Sequence, residues 1–327
     1  MNNLNSHVVG FENAFRVEIE KIKQTKPVQL YEPIAYSLSI GGKRLRPALM
    51  LHAASLFAYH TNEALPAAMA IEIFHNFTLL HDDIMDKADV RRGLPTVHKK
   101  YSENTAILSG DAMSILAFKY LAQGKIEALP EVLNLFSDTA LEVCDGQQMD
   151  MDFESLSTVT IDQYLEMIRL KTAVLIASSL KIGALVSNAP LSDANLLYEY
   201  GINVGLAFQL QDDWLDVFGD PAIFGKKSGG DICANKKTYL LLKAIEKADS
   251  TSLAILTDWI QKKDFDPIEK IAAIKGVYQQ TEVSAETHQL MVTYQNKALA
   301  ALDKLAVSDD QKKILKAFAL EATERMK

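Results

Sequence analysis

The chain has 327 residues, of which 48% are hydrophobic and 23% charged, as expected for a globular protein that can bury a large core. Its net charge of −8 argues against general nucleic-acid binding, which needs a basic surface. No apolar run of about eighteen residues predicts a transmembrane segment, and the N-terminal stretch MNNLNSHVVGFENAF lacks the pattern of a secretory signal. We interpret the two cysteines, Cys144 and Cys233, as reduced thiols of a cytoplasmic protein.

Helices dominate the predicted elements, because stretches rich in Ala, Leu, Lys and Glu alternate with short breaks of Gly, Pro, Ser and Asn. The first helix is predicted at about 8–25, and a short one follows Pro33 and stops at Gly41-Gly42. The next two are predicted to begin near Pro47 and after Pro66. Later helices are predicted at about 103–122, 130–150, 161–183 and 192–218, with more from Thr238 to the end.

Two local signals add detail to these helices. Thr160 and Gln163 have the spacing of a capping box at the start of the helix at 161. Gly201 and Gly205 lower helix propensity but permit close approach of another helix.

The stretch EIFHNFTLLHDDIMDKAD, residues 72–89, carries an acidic cluster on a predicted helix. Asp82 and Asp86 lie one turn apart on the same face, and Asp83 lies beside them. Such carboxylates repel one another unless a cation joins them, and oxygen ligands favour a hard ion such as Mg²⁺. The pattern returns in DDWLD, and two such copies are expected by chance only about 0.01 times. This second cluster consists of Asp212, Asp213 and Asp216.

Cations accompany both clusters. The segment GGKRLRP at 41–47 combines glycine backbone with Lys and Arg at a helix entrance, which suits an anion. Arg91 and Arg92 directly follow the first cluster, where metal and arginine together would clamp a diphosphate. The Gly- and Lys-rich segment 219–237 follows the second cluster and predicts a basic lid over phosphate.

Two single residues extend this pattern. His75 precedes Asp82 by nearly two helical turns on about the same face, where it can contact a second anionic substrate. The spacing Glu72-x-x-His75 also occurs in di-iron bundles, but a second copy is absent from the sequence, which excludes that site. Lys171, followed by Thr172, lies in an apolar run, where snorkelling to solvent is the alternative interpretation.

The domain organisation follows from these clusters. The sequence shows no internal repeat and no linker, and the two Asp clusters must face each other if they are to share metal ions. We therefore predict a single all-α domain over residues 1–327.

Together these motifs resemble the trans-polyprenyl (isoprenyl) diphosphate synthases of the short-chain type, over about residues 41–238. One departure is Asn235, where related sequences often have Gly before a lysine pair. The resemblance is carried by GGKRLRP at 41–47, HDDIMD at 81–86, RRGLPTVH at 91–98, KTAVL at 171–175, FQLQDDWLD at 208–216, Gly225-Lys226 and Lys236-Lys237-Thr238.

The resemblance implies long, mostly antiparallel helices around a deep central cavity, usually in a homodimer. It implies a Mg²⁺-dependent prenyltransferase that condenses isopentenyl diphosphate with dimethylallyl, geranyl or farnesyl diphosphate, with three Mg²⁺ per active site. Direct Mg²⁺ ligands would be Asp82, Asp86 and Asp212, and assisting carboxylates would be Asp83, Asp213 and Asp216.

The resemblance also implies two diphosphate sites and a residue that lines the reacting carbons, Thr172. The diphosphate of isopentenyl diphosphate would be held by Lys43, Arg46, His75 and Arg92. The allylic diphosphate would be held by Arg91, Lys171, Gln209, Lys226 and Lys236.

Product length is the least determined property. Phe77 and Thr78 precede Asp82 by five and four residues, about 6–7.5 Å along a helix. In the family that the chain resembles, these two positions act as a floor for the growing tail, and one aromatic with an uninterrupted Asp motif favours geranylgeranyl over farnesyl diphosphate. The alternatives are that Phe77 is an ordinary core residue and that the floor lies near Met113 or Leu116.

Two other functions are open from the sequence. A class I terpene cyclase also ionises allylic diphosphates with a DDxxD helix, but it needs no second-substrate site such as GGKRLRP. A non-catalytic partner subunit of a synthase is the second alternative, although such subunits usually lose an Asp cluster and this chain keeps both.

Overall fold

Helices carry nearly all of the chain that the structure describes. The computed structural model describes residues 4–57, 62–124, 127, 129–220 and 229–324. A 3₁₀ turn covers Asn62–Ala64, and the strands β1 (Val90–Arg91) and β2 (Leu94–Pro95) pair as an antiparallel hairpin. The predicted all-α fold class is confirmed. In chain order the helices are α1 (Asn5–Lys23), α2 (Val28–Ser39), α3 (Leu45–Ser55), α4 (Leu65–Met85), α5 (Val97–Lys100), α6 (Glu103–Leu121), α7 (Leu129–Ser155), α8 (Ile161–Ile168), α9 (Val174–Leu185), α10 (Leu191–Phe218), α11 (Gly230–Cys233), α12 (Tyr239–Lys247), α13 (Ser250–Gln261), α14 (Pro267–Gln280), α15 (Val283–Asp303) and α16 (Asp309–Glu324).

The chain divides into two compact units. Unit 1 comprises Met1–Ser137 and Ser178–Leu197, and unit 2 comprises Asp138–Ala177 and Tyr198–Lys327. The chain passes from one unit to the other three times, each time inside a helix. The predicted single domain stays a prediction. Among the described residues, every helix is too short or too polar to span a lipid bilayer.

In unit 1, α4 packs chiefly against α6. Pro66 lies in the first turn of α4, where a missing N–H costs nothing, and an apolar run follows it. The core around α4 is partly aromatic, with the rings of Phe74 and Phe136 in edge contact at 5.3 Å. Gly110 of α6 lies directly against His81, because a Cβ at Gly110 would come within 2.2 Å of the His81 ring. This close packing fixes the end of α4 that carries the first Asp cluster.

In unit 2, two glycines hold a distorted helical segment. Between α8 and α9, residues Arg169–Ala173 form a π-helix, in which the Val174 N–H donates to the Arg169 carbonyl five residues back. A Cβ at Gly146 would lie 2.3 Å from the Lys171 backbone nitrogen, and one at Gly205 would lie 2.6 Å from the Ala173 Cα. The close approach predicted for Gly205 is therefore confirmed, and π-helical turns are frequent at functional sites.

Two predicted helix limits were wrong. The second helix begins at Val28 rather than after Pro33, and Pro33 is buried inside it. The helix predicted at 161–183 is interrupted by the π-helix, although the capping box of Thr160 and Gln163 at its start is present as predicted. Propensity and periodicity do not encode which hydrogen-bond register a packed helix adopts, because tertiary contacts decide it.

Candidate active site

The first acidic cluster lies at the C-terminal end of α4. Asp82 is half-buried, Asp83 is buried, and Asp86 is exposed just beyond the last helical residue. The Asp86 N–H donates to the Asp82 carbonyl at 2.8 Å, which keeps this turn helical. A helix C-terminus carries partial negative charge, so carboxylates there are unfavourable unless cations join them. The cluster therefore has the charge and the oxygen ligands that a divalent cation needs.

The buried member of this cluster is paired with an arginine. The Nε of Arg91 donates to both oxygens of Asp83, at 2.9 and 2.8 Å, and Nη2 lies 2.8 Å from Oδ1. This bidentate geometry fixes the guanidinium plane. The predicted roles, diphosphate binding for Arg91 and metal assistance for Asp83, stay predictions. The contact adds that Asp83 orients Arg91.

A short hairpin presents Arg91 and Arg92. Its second strand is held by the Tyr36 hydroxyl, which donates to the Pro95 carbonyl at 2.7 Å. The Thr96 hydroxyl donates to the Ala88 carbonyl, also at 2.7 Å, and closes the base of the hairpin. These bonds hold the paired cations immediately after the first Asp cluster.

Arg92 also reaches the glycine-rich segment predicted to bind an anion. A Cβ at Gly42 would lie 2.7 Å from the Arg92 Nη1, so the guanidinium lies against this backbone, and the φ of +151° at Gly42 favours glycine there. The Nη1 of Arg46 lies 3.2 Å from the His75 Nε2. The structure therefore brings Arg46, His75 and Arg92 together in unit 1 as predicted. Lys43, the fourth predicted member, is exposed in the same segment.

The electrostatics of this group favour an anion. Burial, with Arg92 nearby, lowers the pKa of Arg46 to about 10, so Arg46 stays charged at neutral pH. Burial and the neighbouring arginines hold the pKa of His75 well below its usual value, so its neutral ring can accept a hydrogen bond from Arg46. The buried Nε of Arg46 has no hydrogen-bond partner among the described residues. A diphosphate oxygen would satisfy this donor and offset the excess positive charge.

Arg44 was not predicted as a site residue, although it lies in the same GGKRLRP segment. It is 4% exposed, and it donates to the carboxylates of Glu12 at 2.6 Å and Glu72 at 2.5 Å. The Asn76 amide also donates to Glu72, at 3.1 Å. Arg44 adopts a left-handed backbone conformation with φ 47°. Its ion pairs hold this turn in place, and Arg46 lies two residues after it. The role of Glu72 in the structure is therefore to bind Arg44.

The predicted chain-length residues lie about one helical turn before the cluster. Phe77 is half-buried, and its ring packs against Phe74 at 5.4 Å and His81 at 4.8 Å. The Thr78 hydroxyl donates to the His75 carbonyl at 2.8 Å. Met113, on the alternative helix, is completely buried. These positions fit a partly open site beside Phe77, and their effect on product length stays a prediction.

The second acidic cluster lies near the C-terminal end of α10 in unit 2. Asp212 is exposed and Asp213 is buried. Asp213 accepts hydrogen bonds from the Tyr164 hydroxyl at 2.7 Å and from the Gln209 amide at 2.9 Å. Burial raises the pKa of Asp213, because the loss of water outweighs the charge of Lys236 and the two hydrogen bonds, which lower it.

Asp216 organises the segment that follows the helix. Its side chain accepts the Asp231 N–H at 2.9 Å, and its carbonyl accepts the Gly229 N–H at 2.7 Å. Burial and the neighbouring carboxylates, opposed by Lys236, raise the pKa of Asp231 to about 7. Asp231 was missed from the sequence. Its position directly after two glycines and before the lysine pair was the available signal.

Lys171 and Thr172 lie on the π-helix and line a small pocket of unit 2. The Lys171 Nζ donates to the Asp150 carboxylate at 2.7 Å, and the Thr172 hydroxyl donates to the Gln209 Oε1 at 3.0 Å. Snorkelling alone does not describe Lys171, because it is held by a specific acid. Asp150 is a second residue that the sequence did not reveal. The pocket is lined by Asp150, Met167, Ile168, Lys171, Thr172, Gln209, Asp213 and Lys236.

Of the two lysines predicted on the basic segment, Lys226 lies outside the described residues. Lys236 lines the pocket, and its Nζ lies 4.0 Å from the Asp231 Oδ1. The structure thus gathers Lys171, Thr172, Gln209 and Lys236, all predicted to serve the allylic substrate, around one pocket.

The donor set fits Mg²⁺. Each cluster offers carboxylate oxygens, which a hard cation prefers. Within the described residues there is no group of three or more His, Cys, Asp or Glu side chains able to enclose a metal. Mg²⁺ usually takes one or two carboxylates and completes its shell with water and substrate phosphate, and such sites need no protein cage.

Comparison with known proteins agrees with this chemistry. Residues 27–279 match the family model of polyprenyl synthetase. Geranylgeranyl diphosphate synthase of Methanosarcina mazei is 44% identical over 232 residues, which cover 70% of this chain and 71% of that protein. Geranylfarnesyl diphosphate synthase of Natronomonas pharaonis is 41% identical over 69% of this chain and 71% of its own. A crystal structure of a geranylgeranyl pyrophosphate synthase superposes with a TM-score of 0.93, at 44% identity and with both chains fully covered.

Proposed function

The chain belongs to the polyprenyl synthetase family, and we propose that it elongates an allylic diphosphate with isopentenyl diphosphate to geranylgeranyl diphosphate. Its activity is that of a short-chain prenyltransferase. The observation that best supports two substrates is the presence of two separate cationic groups. One contains Arg46 and Arg92 in unit 1, and the other contains Lys171 and Lys236 in unit 2. A terpene cyclase needs only one diphosphate site.

The proposed reaction needs no nucleophile from the protein. The allylic C–O bond breaks and its electron pair leaves with the diphosphate, after which the alkene of isopentenyl diphosphate attacks the carbocation. The new C–C bond leaves a second cation, which loses a proton to the departed diphosphate. In this proposal Lys171 and Lys236 stabilise the charge of the leaving group, and Arg46 and Arg92 hold the other diphosphate, which their grouping supports.

Mg²⁺ would be held by Asp82 and Asp86 in unit 1 and by Asp212 in unit 2, with Asp83, Asp213 and Asp216 as assisting carboxylates. When bound, Mg²⁺ supplies Lewis-acid neutralisation of diphosphate charge. The buried aspartates support the ligands differently, since Asp83 binds Arg91 and Asp213 binds Tyr164 and Gln209. Three ions per active site, a homodimer and a cytoplasmic location stay predictions.

Geranylgeranyl diphosphate is favoured by the pair Phe77 and Thr78. Phe77 leans on Phe74 and His81, while Thr78 is small and half-buried, so one bulky group stands beside one small one. The two relatives that are 44% and 41% identical to this chain are named geranylgeranyl and geranylfarnesyl diphosphate synthase. Both names agree with a site that accepts a product tail longer than farnesyl.

The test is the product length made by the purified full chain. With Mg²⁺, isopentenyl diphosphate and labelled dimethylallyl, geranyl or farnesyl diphosphate, we expect geranylgeranyl diphosphate from each primer. Thr78→Phe should shift the product to farnesyl diphosphate, and Phe77→Ala should lengthen it, because the side chains add or remove bulk beside the tail. A product formed without isopentenyl diphosphate would indicate a cyclase, and an inactive chain would indicate a partner subunit. If both variants made the same product as wild type, the residues that limit chain length would have to lie on another helix.

A further inference from the structure

A fully buried lysine of unit 2 lies outside the residues discussed so far. Lys270, on α14, has no exposed surface. Its Nζ donates to the Asn235 Oδ1 at 2.7 Å and to the Cys233 carbonyl at 3.3 Å, and it lies 4.1 Å from the centre of the Phe265 ring. Burial lowers the pKa of Lys270. Burying an ammonium is costly even when it is hydrogen-bonded, and an apolar side chain of similar size would fill the space at lower cost.

Both polar atoms of the Asn235 side-chain amide are hydrogen-bonded. The Asn235 Oδ1 accepts from Lys270, while its Nδ2 donates to the Ile260 carbonyl at 3.1 Å. The two contacts are chemically distinct, because only the oxygen can face an ammonium and only the NH₂ can face a carbonyl. Asn235 also has φ 55°, a left-handed conformation that Gly and Asn tolerate best. The side chain therefore has one orientation, and the backbone has a fixed turn.

That turn sets the position of Lys236. The Lys236 N–H donates to the Asp231 carbonyl at 2.9 Å, and the Thr238 N–H donates to the Lys236 carbonyl at 2.9 Å. Lys236 lines the pocket that also holds Lys171. A shift of Asn235 would therefore move the next residue in the pocket wall.

Helix α14, which carries Lys270, also contacts the end of α10 and Gly229. The Lys275 Nζ donates to the Val217 carbonyl at 2.8 Å, one residue beyond Asp216. Ile271 packs on Gly229, because a Cβ there would come within 2.7 Å of the isoleucine side chain, and Gly229 has φ +88°. Along one helix, Lys270, Ile271 and Lys275 thus contact the end of α10 and the residues that lead to Lys236.

We propose that Lys270 is a positioning residue of the prenyltransferase, which fixes Asn235 and thereby places the Lys236 ammonium for the allylic diphosphate. The inference rests on the proposed function of Lys236. It also accounts for Asn235 itself, since glycine could adopt the same backbone turn but offers nothing for Lys270 to hold. Among the described residues, the Lys270 ammonium donates to Asn235 and to the Cys233 carbonyl, and we expect it to act on Lys236 through Asn235.

The experiment uses the full chain and five variants. Lys270→Met removes the ammonium at similar length, Asn235→Gly keeps the left-handed turn but removes the amide, and the double variant combines them. Lys312→Met is the matched control, because Lys312 is another buried lysine of unit 2, with its Nζ on the Asp303 carbonyl at 2.9 Å. Lys236→Ala reports separately on the residue that is positioned. KM for each substrate, kcat and the melting temperature are measured for all of them.

We expect Lys270→Met and Asn235→Gly each to raise KM for the allylic diphosphate about tenfold, as a small misplacement of a binding group would. The KM for isopentenyl diphosphate should change less than about twofold, and the double variant should resemble Asn235→Gly, because both changes break one link. Lys312→Met should lower the melting temperature without this split. If Lys270→Met only lowers the melting temperature, or if the double variant loses the product of the single effects, the positioning role is overturned.

The outcome for Lys236→Ala separates the two proposals. An allylic effect in Lys236→Ala without one in Lys270→Met or Asn235→Gly overturns the positioning role and leaves the proposed substrate site intact. Elongation that is unaffected by Lys236→Ala overturns both the role of Lys236 and that of Lys270, while the prenyltransferase activity itself stands.

Discussion

The two acidic clusters share the spacing DDxxD but are built in opposite electrostatic ways. In unit 1 the buried aspartate, Asp83, is neutralised by the guanidinium of Arg91. In unit 2 the buried aspartate, Asp213, is held by two neutral donors, Tyr164 and Gln209. The first cluster therefore pairs its buried carboxylate directly with a cation, whereas the second hydrogen-bonds it to neutral donors and has the charge of Lys236 nearby.

The second cluster also has an additional carboxylate. Asp231 lies against Asp216, and burial together with these acidic neighbours raises its pKa to about 7. The pKa of Asp213 is raised for the same primary reason, loss of water. Both raised pKa values mean that negative charge on Asp213 and Asp231 is unfavourable in their surroundings. One motif can therefore provide either a preassembled support or a site whose charge is balanced by incoming cations.

The largest expected effect tests what the clusters share. Asp82→Ala and Asp212→Ala should each lower kcat by about 10³-fold or more, because each removes an accessible carboxylate that would hold the cation balancing diphosphate charge. Steady-state turnover with both substrates measures this, and circular dichroism should show an unchanged helical fold. Asp258→Ala, an exposed acid on α13, is the control and should behave as wild type. Activity within tenfold of wild type in either cluster variant would contradict the shared role.

A stability comparison tests how the clusters differ. Arg91→Ala should lower the free energy of unfolding by about 2 kcal/mol, because Asp83 would be left buried without its cation, partly relieved by water around the half-exposed site. Tyr164→Phe should cost only about 1 kcal/mol, because it removes one hydrogen bond while Asp213 keeps the one from Gln209. Urea unfolding at pH 7 measures both. A larger loss for Tyr164→Phe would reverse the comparison.

The two cationic groups should separate in substrate affinity. Arg46→Ala should raise KM for isopentenyl diphosphate about tenfold, because it removes the donor placed beside His75. Lys171→Ala, and Lys226→Ala as predicted from the sequence, should raise KM for the allylic diphosphate by a similar factor. Initial rates with one substrate varied at a time provide both constants. Equal changes for both substrates in every variant would show that the assignment is wrong.

The smallest effect concerns the pH dependence of stability without metal. The folded pKa of Asp231, about 7, lies above its ordinary value of 3.8, so the folded chain holds a proton that the unfolded chain has released between these values. The free energy of unfolding therefore falls as pH rises through this window, because the folded chain must release the Asp231 proton or keep it at a cost. Asp231→Asn should match wild type near pH 4 and melt several degrees higher above pH 7.

Thermal unfolding in a chelating buffer from pH 4 to 8 measures this difference. An offset between Asp231→Asn and wild type that does not change with pH would mean that Asp231 does not titrate as described. The corresponding Asp145→Asn variant, an exposed acid of unit 2, should show no such pH dependence.

The sequence determined the features that depend on local spacing and composition. It predicted the helices that carry both clusters, because apolar periodicity indicates a long helix even where Gly201 and Gly205 lower the propensity of the second one. It also identified the capping box at Thr160, since both partners lie within four residues. The cations of GGKRLRP and of the Arg91-Arg92 pair were found for the same reason, as their chemistry lies next to the clusters in the chain.

Only the tertiary structure decided which side chains pair. Asp150 lies 21 residues from Lys171, Tyr164 lies 49 from Asp213, and Lys270 lies 35 from Asn235, so no local pattern connects them. The π-helix at Lys171 likewise depends on packing, because Gly146 and Gly205 press on its backbone from distant parts of the chain. Periodicity is a property of neighbours along the chain, whereas a buried charge takes whichever partner folding brings within hydrogen-bonding distance.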